Sequence, residues 1–187
     1  KRCKVYSLVD VDCAALPSLI RPYTNIEVNN TEMPVDLVSV VDNIPDAETV
    51  VYNQVIFLPN QKRELAMLDK KKNRHASIPN PNNQMAVEDI KRVQEVIVRE
   101  SKQLVYTHFN MVVAVSAGAD LQKCTNHLEN AFGRMGIHIS KRAYNQLELF
   151  VGSFPGNCYG LSEEYDRFLT LSDAAMCLMY KERVLHS

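Results

Sequence analysis

Basic side chains cluster at residues 70–74, where the sequence reads KKKNR. Lysine and arginine at this spacing could hold the phosphate oxygens of DNA or the headgroups of anionic lipids. We therefore take Lys70, Lys71, Lys72 and Arg74 as candidate contacts for phosphate, DNA or lipid. The same run would equally serve as a solvated helix end that complements the helix dipole. Aromatic residues do not interleave with the run, which leaves stacking of nucleic-acid bases without support.

Histidine, cysteine and carboxylate residues are scattered along the chain. No two of its five histidines are four residues apart, although His108 and His138 lie on different predicted strands that a fold could bring together. His108 could also act as a base for Cys124, or pair with Asp120, if the fold placed them within hydrogen-bond reach. Sequence alone supplies no such pairing, so we assign no catalytic, cofactor-binding or metal-binding residue.

Phosphate-cradling glycine loops are missing from the sequence. A P-loop needs G-x-x-x-x-G-K-[ST], because its backbone amides hold the phosphates and its lysine meets them. None of the six glycines is followed by Lys-Ser or Lys-Thr, and G-x-G-x-x-G, G-x-S-x-G and H-E-x-x-H do not occur. The sequence therefore predicts no nucleotide site within these residues.

Composition is typical of a globular domain, with 46% hydrophobic and 23% charged residues. The net charge of −1 argues against a chain whose main task is holding nucleic acid. Five cysteines without a C-x-x-C pattern indicate unpaired thiols in a reducing compartment. The chain shows neither a signal peptide nor an apolar run of the ~20 residues that span a bilayer. It begins with Lys1, and we expect it to be a segment of a longer protein.

The strongest local patterns lie in the middle of the chain. We predict strands over 50–58 and 104–116, the second with one face in a core and the other partly wet. Between them we predict helices over 61–74, capped by Asn60, and over 84–102. After them come a helix over 120–135, a short strand over 137–139, a helix from Ser140, and a last helix over 173–181. A type II turn is expected at 154–157.

These elements predict an α+β fold with a mixed or antiparallel sheet, helices packed on one face, and a ferredoxin-like layout as one candidate. We divide the chain into three parts. Residues 1–48 form an irregular arm with short strands, residues 49–160 form the α+β core, and residues 161–187 form a helical segment.

Five stretches, in order, resemble one protein family. They read YNQVIFL at 52–58, KKNRHAS at 71–77, THFNM at 107–111, FPGN at 154–157 and FLTLSDAA at 168–175. Together they are similar to the TraG-type conjugation ATPases of Bacteroides-like conjugative transposons, which are related to the VirB-type ATPases of type IV secretion systems. The resemblance runs from about residue 50 to the end of the chain.

The resemblance implies that the parent protein is a cytoplasmic hexameric ATPase, peripheral to the inner membrane, that powers DNA transfer. ATP and Mg²⁺ would bind to its motor domain, whose Walker motifs follow the stretch at 168–175, outside these residues. The chain itself would be a non-catalytic domain docking the motor against inner-membrane secretion proteins and against neighbouring subunits of a homo-oligomer. Its last helix would supply the interface through Met176, Cys177 and Leu178.

Two other classes of function remain open from the residues. The first is a nucleic-acid-binding accessory module that uses the basic run at 70–74, with DNA as its partner. The second is an independent enzyme built on His108, which requires a nucleophile and a base in contact within a pocket.

Overall fold

A computed structural model describes residues 1–7, 25–28, 31–34, 41, 43–78, 80–134, 136–140, 145–163, 166–176 and 179 of the chain. Strand β1 is Arg2–Ser7, and the hairpin of β2 (Asn25–Val28) and β3 (Thr31–Pro34) forms a separate two-stranded sheet. The remaining strands β4 to β6 join β1 in the main sheet.

The main sheet is built around β5, Leu104–Val115. Strand β4, Ala47–Phe57, runs antiparallel along one side of it. On its other side β1 pairs with the C-terminal half of β5, and β6 (Phe168–Leu171) pairs with the N-terminal half, both antiparallel. The predicted α+β class with an antiparallel sheet is therefore confirmed. Because β1 and β4 are both antiparallel to β5 and lie on opposite sides of it, they run parallel to each other.

Both faces of β5 are covered, so the prediction of a partly wet face is wrong. Every residue of the strand except Tyr106 is buried. One face carries Phe109, Met111 and Val113 into the larger core, and the other carries Val112 into a smaller core. A central strand covered on both faces has no wet side, so its polar side chains can be satisfied only by partners inside the protein. Among the described residues, the Thr107 hydroxyl has no such partner.

Helix α3, Leu121–Arg134, covers the larger core with Cys124, Leu128 and Phe132. Its start is capped as predicted, since the Asp120 carboxylate accepts the Gln122 N–H at 2.9 Å. Gly136 follows its end with a φ of 74°, the left-handed geometry that glycine adopts without strain.

The second face of the sheet is covered by helix α4, Gln146–Gly152, through Leu149, and by Leu161, which follows a 3₁₀ turn at Cys158–Gly160. The predicted strand over 137–139 is absent, and only Ser140 makes an isolated bridge, to Ser7. The turn at 154–157 is confirmed: Gly156 has a φ of 81°, and the Asn157 N–H donates to the Phe154 carbonyl at 3.0 Å.

Two long helices connect β4 to its neighbour β5. Helix α1 is Gln61–Ala76, and α2 is Pro81–Glu100, which begins three residues earlier than predicted because Asn80 caps it and Pro81 fits the first turn. The two helices pack against each other, and the 20 residues of α2 correspond to about 30 Å of length. We call this pair the α1–α2 arm. Within the described ranges, no helix is both long and apolar enough to cross a bilayer.

The side-chain amides of Gln61 in α1 and Gln146 in α4 form the same pair of hydrogen bonds with a strand backbone. The Gln61 side chain donates to the Leu104 carbonyl at 2.8 Å and accepts the Leu104 N–H at 2.9 Å. Gln146 makes the equivalent pair with Val5, at 2.8 and 2.7 Å. Each amide thus behaves like one residue of an added strand, which fixes the base of the arm and covers the outer edge of β1.

The chain ends differ from the expected division. Strand β1, which we expected in an irregular arm over 1–48, belongs to the core sheet, and so does β6 from the segment over 161–187. The last described helix, α5, is Ser172–Met176, and residues 177, 178, 180 and 181 of the helix predicted over 173–181 lie outside the described residues.

Replacing Phe132 by alanine should lower the free energy of unfolding by about 3–5 kcal/mol, because it empties a fully buried site in the larger core. Urea unfolding of the whole chain measures this loss. Leu147→Ala is the matched control, since that side chain is 74% exposed and its loss should change stability by no more than about 0.5 kcal/mol. Equal losses in the two variants would show that α3 does not cover the core as described.

Candidate functional site

Both ring nitrogens of the His108 imidazole are hydrogen-bonded within a buried network. Its Nδ1 lies 2.7 Å from the backbone carbonyl of Asp166, which can only accept, so Nδ1 carries the proton. Its Nε2 then accepts from the Asn110 amide at 2.8 Å, and the Asn110 oxygen accepts the Ser153 hydroxyl at 2.9 Å. Neutral His108 therefore joins β5 to the segment before β6 and to the end of α4. Its role in these contacts is to hold the fold together.

The pairings that could have made an enzyme on His108 do not form. His108 shares a face of β5 with Asn110, while Cys124 lies in the core on the opposite face. The Cys124 thiol donates to the Pro45 carbonyl at 3.1 Å, and burial raises the pKa of this thiol, which keeps it protonated. His138 is exposed on the surface. Among the described residues, no three histidine, cysteine or carboxylate side chains are placed to hold a metal.

The basic run is divided between two sides of α1. Lys70, Lys71 and Arg74 line one cleft of about 410 Å³ beside the helix. Lys72 points the other way, where its ammonium contacts Asp69 at 2.7 Å and Gln94 of α2 at 2.9 Å. The four predicted contacts therefore do not act together, because Lys72 is part of the bond between the two helices of the arm.

The rest of that cleft is lined by the buried Glu64, the half-buried Leu68, Tyr106 and Leu169, and the exposed Met67. A second cleft of about 490 Å³ shares Glu64, Met67 and Tyr106 with it and continues toward the start of α1. Its other walls are Phe57, Leu58, Pro59, Asn60, Arg63, Glu163 and Arg167. We call the two clefts together the α1 groove.

At the end of the groove beside the start of α1, the Arg167 guanidinium lies 3.7 Å from the centre of the Phe57 ring. The same guanidinium donates to the Leu161 carbonyl at 2.9 Å and meets Glu163 at 3.4 Å. Stacking and these two bonds hold the Arg167 side chain in one orientation at the groove wall.

The floor of the groove holds one buried carboxylate. Glu64 accepts the Tyr106 hydroxyl at 2.9 Å, and Glu64 itself is 6% exposed. Burial raises the pKa of the Tyr106 phenol above its usual range, and the hydrogen bond to the Glu64 carboxylate raises it further. The pair ties α1 to β5 below the cleft.

The start of α5 is fixed to the sheet by three contacts. The Ser172 N–H donates to the Gln103 carbonyl at 2.9 Å, Asp173 pairs with Lys102 at 2.6 Å, and the Ala175 carbonyl accepts the Gln54 amide at 2.8 Å. Met176, one predicted interface residue, is 37% exposed at the end of the helix. The side chains of Cys177 and Leu178 lie outside the described residues.

Several groove residues were not predicted as site residues from the sequence, notably Met67, Tyr106 and Arg167. One signal was present: Glu64, Met67, Leu68 and Lys71 occupy positions i, i+3, i+4 and i+7 of one helix face. Arg167 and Tyr106 gave no such signal, because they reach the groove from other elements.

Comparison with known protein families and with curated proteins finds no match to this chain. A function therefore has to be argued from the residues and their geometry.

Replacing Tyr106 by phenylalanine should remove a phenol that titrates above the ordinary value of about 10. Because the folded-state pKa is raised, the stability that this group contributes is present below pH ~10 and is lost as the pH rises through the folded pKa. The difference in tyrosinate absorbance between the two proteins, followed through an alkaline titration, isolates this one group. If the phenol that is absent from the variant titrates with a pKa at or below about 10 in the original protein, the buried hydrogen bond between Glu64 and Tyr106 is contradicted.

Proposed function

We propose that this chain is a non-catalytic docking domain next to the motor of a conjugation-type secretion ATPase. It would hold the motor against inner-membrane secretion proteins and against neighbouring subunits of the oligomer, on the cytoplasmic side and peripheral to the membrane. The observation that carries the proposal is the place of α5. The family resemblance puts the motor after the stretch at 168–175, which includes the start of this helix, and three contacts fix that start to the sheet.

Firm attachment of α5 to the sheet would suit a domain that positions a motor. Strand β6 is paired with the central strand, and α5 follows it without a loop, so the core sheet sets the orientation of α5. Met176, exposed at the end of α5, adds an apolar side chain where such a body would meet the domain.

Nucleotide chemistry belongs to the motor in this proposal. ATP and Mg²⁺ require a phosphate-cradling loop, which the sequence of this chain does not contain, so its residues do not fit the group. No step of hydrolysis is assigned to them.

The gene itself gives a first test. A G-x-x-x-x-G-K-[ST] motif should be encoded within roughly 60 residues after Ser187, because that loop forms the motor's phosphate site. A reading frame that stops at Ser187 would exclude the proposal.

Replacing Met176 by glutamate should weaken binding of the domain to a separately produced motor by about tenfold, because a carboxylate would have to be desolvated in an apolar contact. Calorimetric titration measures the affinity. Leu147→Glu is the matched control, since Leu147 is an exposed apolar residue on α4, and it should leave the affinity unchanged. Equal affinities for all three proteins would place the motor elsewhere.

A nucleic-acid-binding accessory module is the second candidate, because Lys70, Lys71 and Arg74 line one cleft together. Three phosphate contacts predict that the logarithm of the affinity for duplex DNA falls with the logarithm of salt concentration at a slope of about −2.7. Filter binding over a salt series measures the slope, and the absence of binding at low salt removes this candidate.

A further inference from the structure

We propose that the α1 groove binds an acidic amphipathic segment of a partner protein, one with apolar side chains along its middle and carboxylates at one end. The proposal goes beyond motor docking and does not depend on it, because no side chain of the groove belongs to α5. The case rests on the floor of the groove, its rim, its length and its charge.

The floor offers apolar surface that is open to solvent. Met67 is 50% exposed and Leu58 is 76% exposed, although both stand in a concave site beside other apolar side chains. Leu169 and Leu68 continue the same surface toward the far end of α1. Exposed apolar residues that line two adjoining clefts with shared walls are typical of a site that buries a partner's side chains.

The rim at the far end carries three cations whose charges are not neutralised. Lys70, Lys71 and Arg74 form no ion pair among the described residues, whereas Lys72, on the same helix, is bonded to Asp69 and Gln94. Because the whole chain has a net charge of −1, this local excess comes from the placement of the three side chains and not from composition. Carboxylates of a partner segment would complement it.

The length of the groove limits the size of the segment. From Arg63 to Arg74 the groove follows α1 for 11 residues, which is about 16 Å. A helical segment of about three turns covers that distance, with apolar residues at spacings of three and four meeting Met67 and Leu169. Its acidic end would lie against Lys70 and Lys71.

The carboxylates of the groove favour a protein segment over nucleic acid. Glu64 lies at the floor of both clefts, and Glu163 stands at the opposite end from the three cations. At that end Arg63 and Arg167 also line the cleft, and Arg167 meets Glu163 at 3.4 Å, so the carboxylate that would repel a phosphate backbone is Glu64. Such a backbone would also leave the exposed apolar side chains of Met67 and Leu58 without a partner. The one aromatic ring in the basic cleft is Tyr106, whose hydroxyl is bonded to Glu64. An amphipathic segment can place apolar atoms over that pair and keep its acidic residues at the basic end.

A synthetic peptide tests the proposal with the whole chain. The probe is a fluorescein-labelled helix-forming peptide of about 14 residues, with leucines at positions i, i+3, i+4 and i+7 and glutamates grouped at its C-terminal end. Fluorescence anisotropy at about 0.15 M salt, where the Debye length is about 8 Å, measures its affinity. We expect saturable binding, and a loss of at least about 30-fold in the triple variant Lys70→Glu, Lys71→Glu, Arg74→Glu. Met67→Gln should lose about tenfold, because it removes apolar contact without changing charge.

The matched control changes the same number of charges elsewhere. Lys62, Lys91 and Arg134 are exposed and line none of the groove, so Lys62→Glu, Lys91→Glu, Arg134→Glu should retain affinity within about threefold once salt screens distant charges. Urea unfolding of each variant confirms that the fold persists, and all replaced side chains are exposed.

Five results would overturn the proposal. The first is the absence of saturable binding of the peptide. The second is an equal loss of affinity in the groove variant and the control variant. The third is equally tight binding of a polyglutamate peptide, which would show attraction by charge alone. The fourth is tighter, groove-dependent binding of duplex DNA or of phosphatidylglycerol vesicles. The fifth is self-association of the chain that the groove variant abolishes, because a second copy would then be the occupant. Failure of motor docking at Met176 leaves each of these readings unchanged.

Discussion

Strand β5 lies between β4 on one side and β1 and β6 on the other, and both of its faces are covered by packed side chains. A polar residue on such a strand cannot turn to water, so it either finds a partner within the protein or stays unpaired at a cost in stability. Among the described residues, the buried Thr107 hydroxyl has no hydrogen-bond partner, whereas His108 and Asn110 find theirs in the Asp166 carbonyl and the Ser153 hydroxyl. His108 and Asn110, the residues of β5 whose side chains could do chemistry, therefore join the sheet to α4 and to the segment before β6.

The same strand determines where the α1–α2 arm and the clefts beside it lie. Since β4 and β5 are paired along their length, the residues between them must leave the sheet, and they do so as the α1–α2 arm. Gln61 and the Glu64–Tyr106 bond fix the base of the arm to β5. The α1 groove is the space left beside this junction, and β6 contributes Leu169 to it because β6 is also paired with β5.

Local patterns were predictable, and contacts between distant residues were not. The cap at Asn60, the end of α3 at Gly136 and the turn at Gly156 follow from residue types that favour one backbone geometry. Burial of both faces of β5 was missed because His108 and Asn110 look solvated until their partners are known. The basic run was predicted as one patch, yet at about 100° per residue Lys72 lies about 200° around the helix from Lys70, so it faces α2 while Lys70 lines the cleft.

Docking of a motor through α5 is most directly tested by amide hydrogen exchange, measured on this chain alone and on a longer protein that includes the motor. Slow exchange throughout β5 in both samples would show that the core sheet is intact. We predict that the amides of Ser172–Met176 exchange markedly more slowly in the longer protein, because the attached body would cover the exposed end of the helix. Equally fast exchange of those amides in the two proteins would contradict the proposed docking.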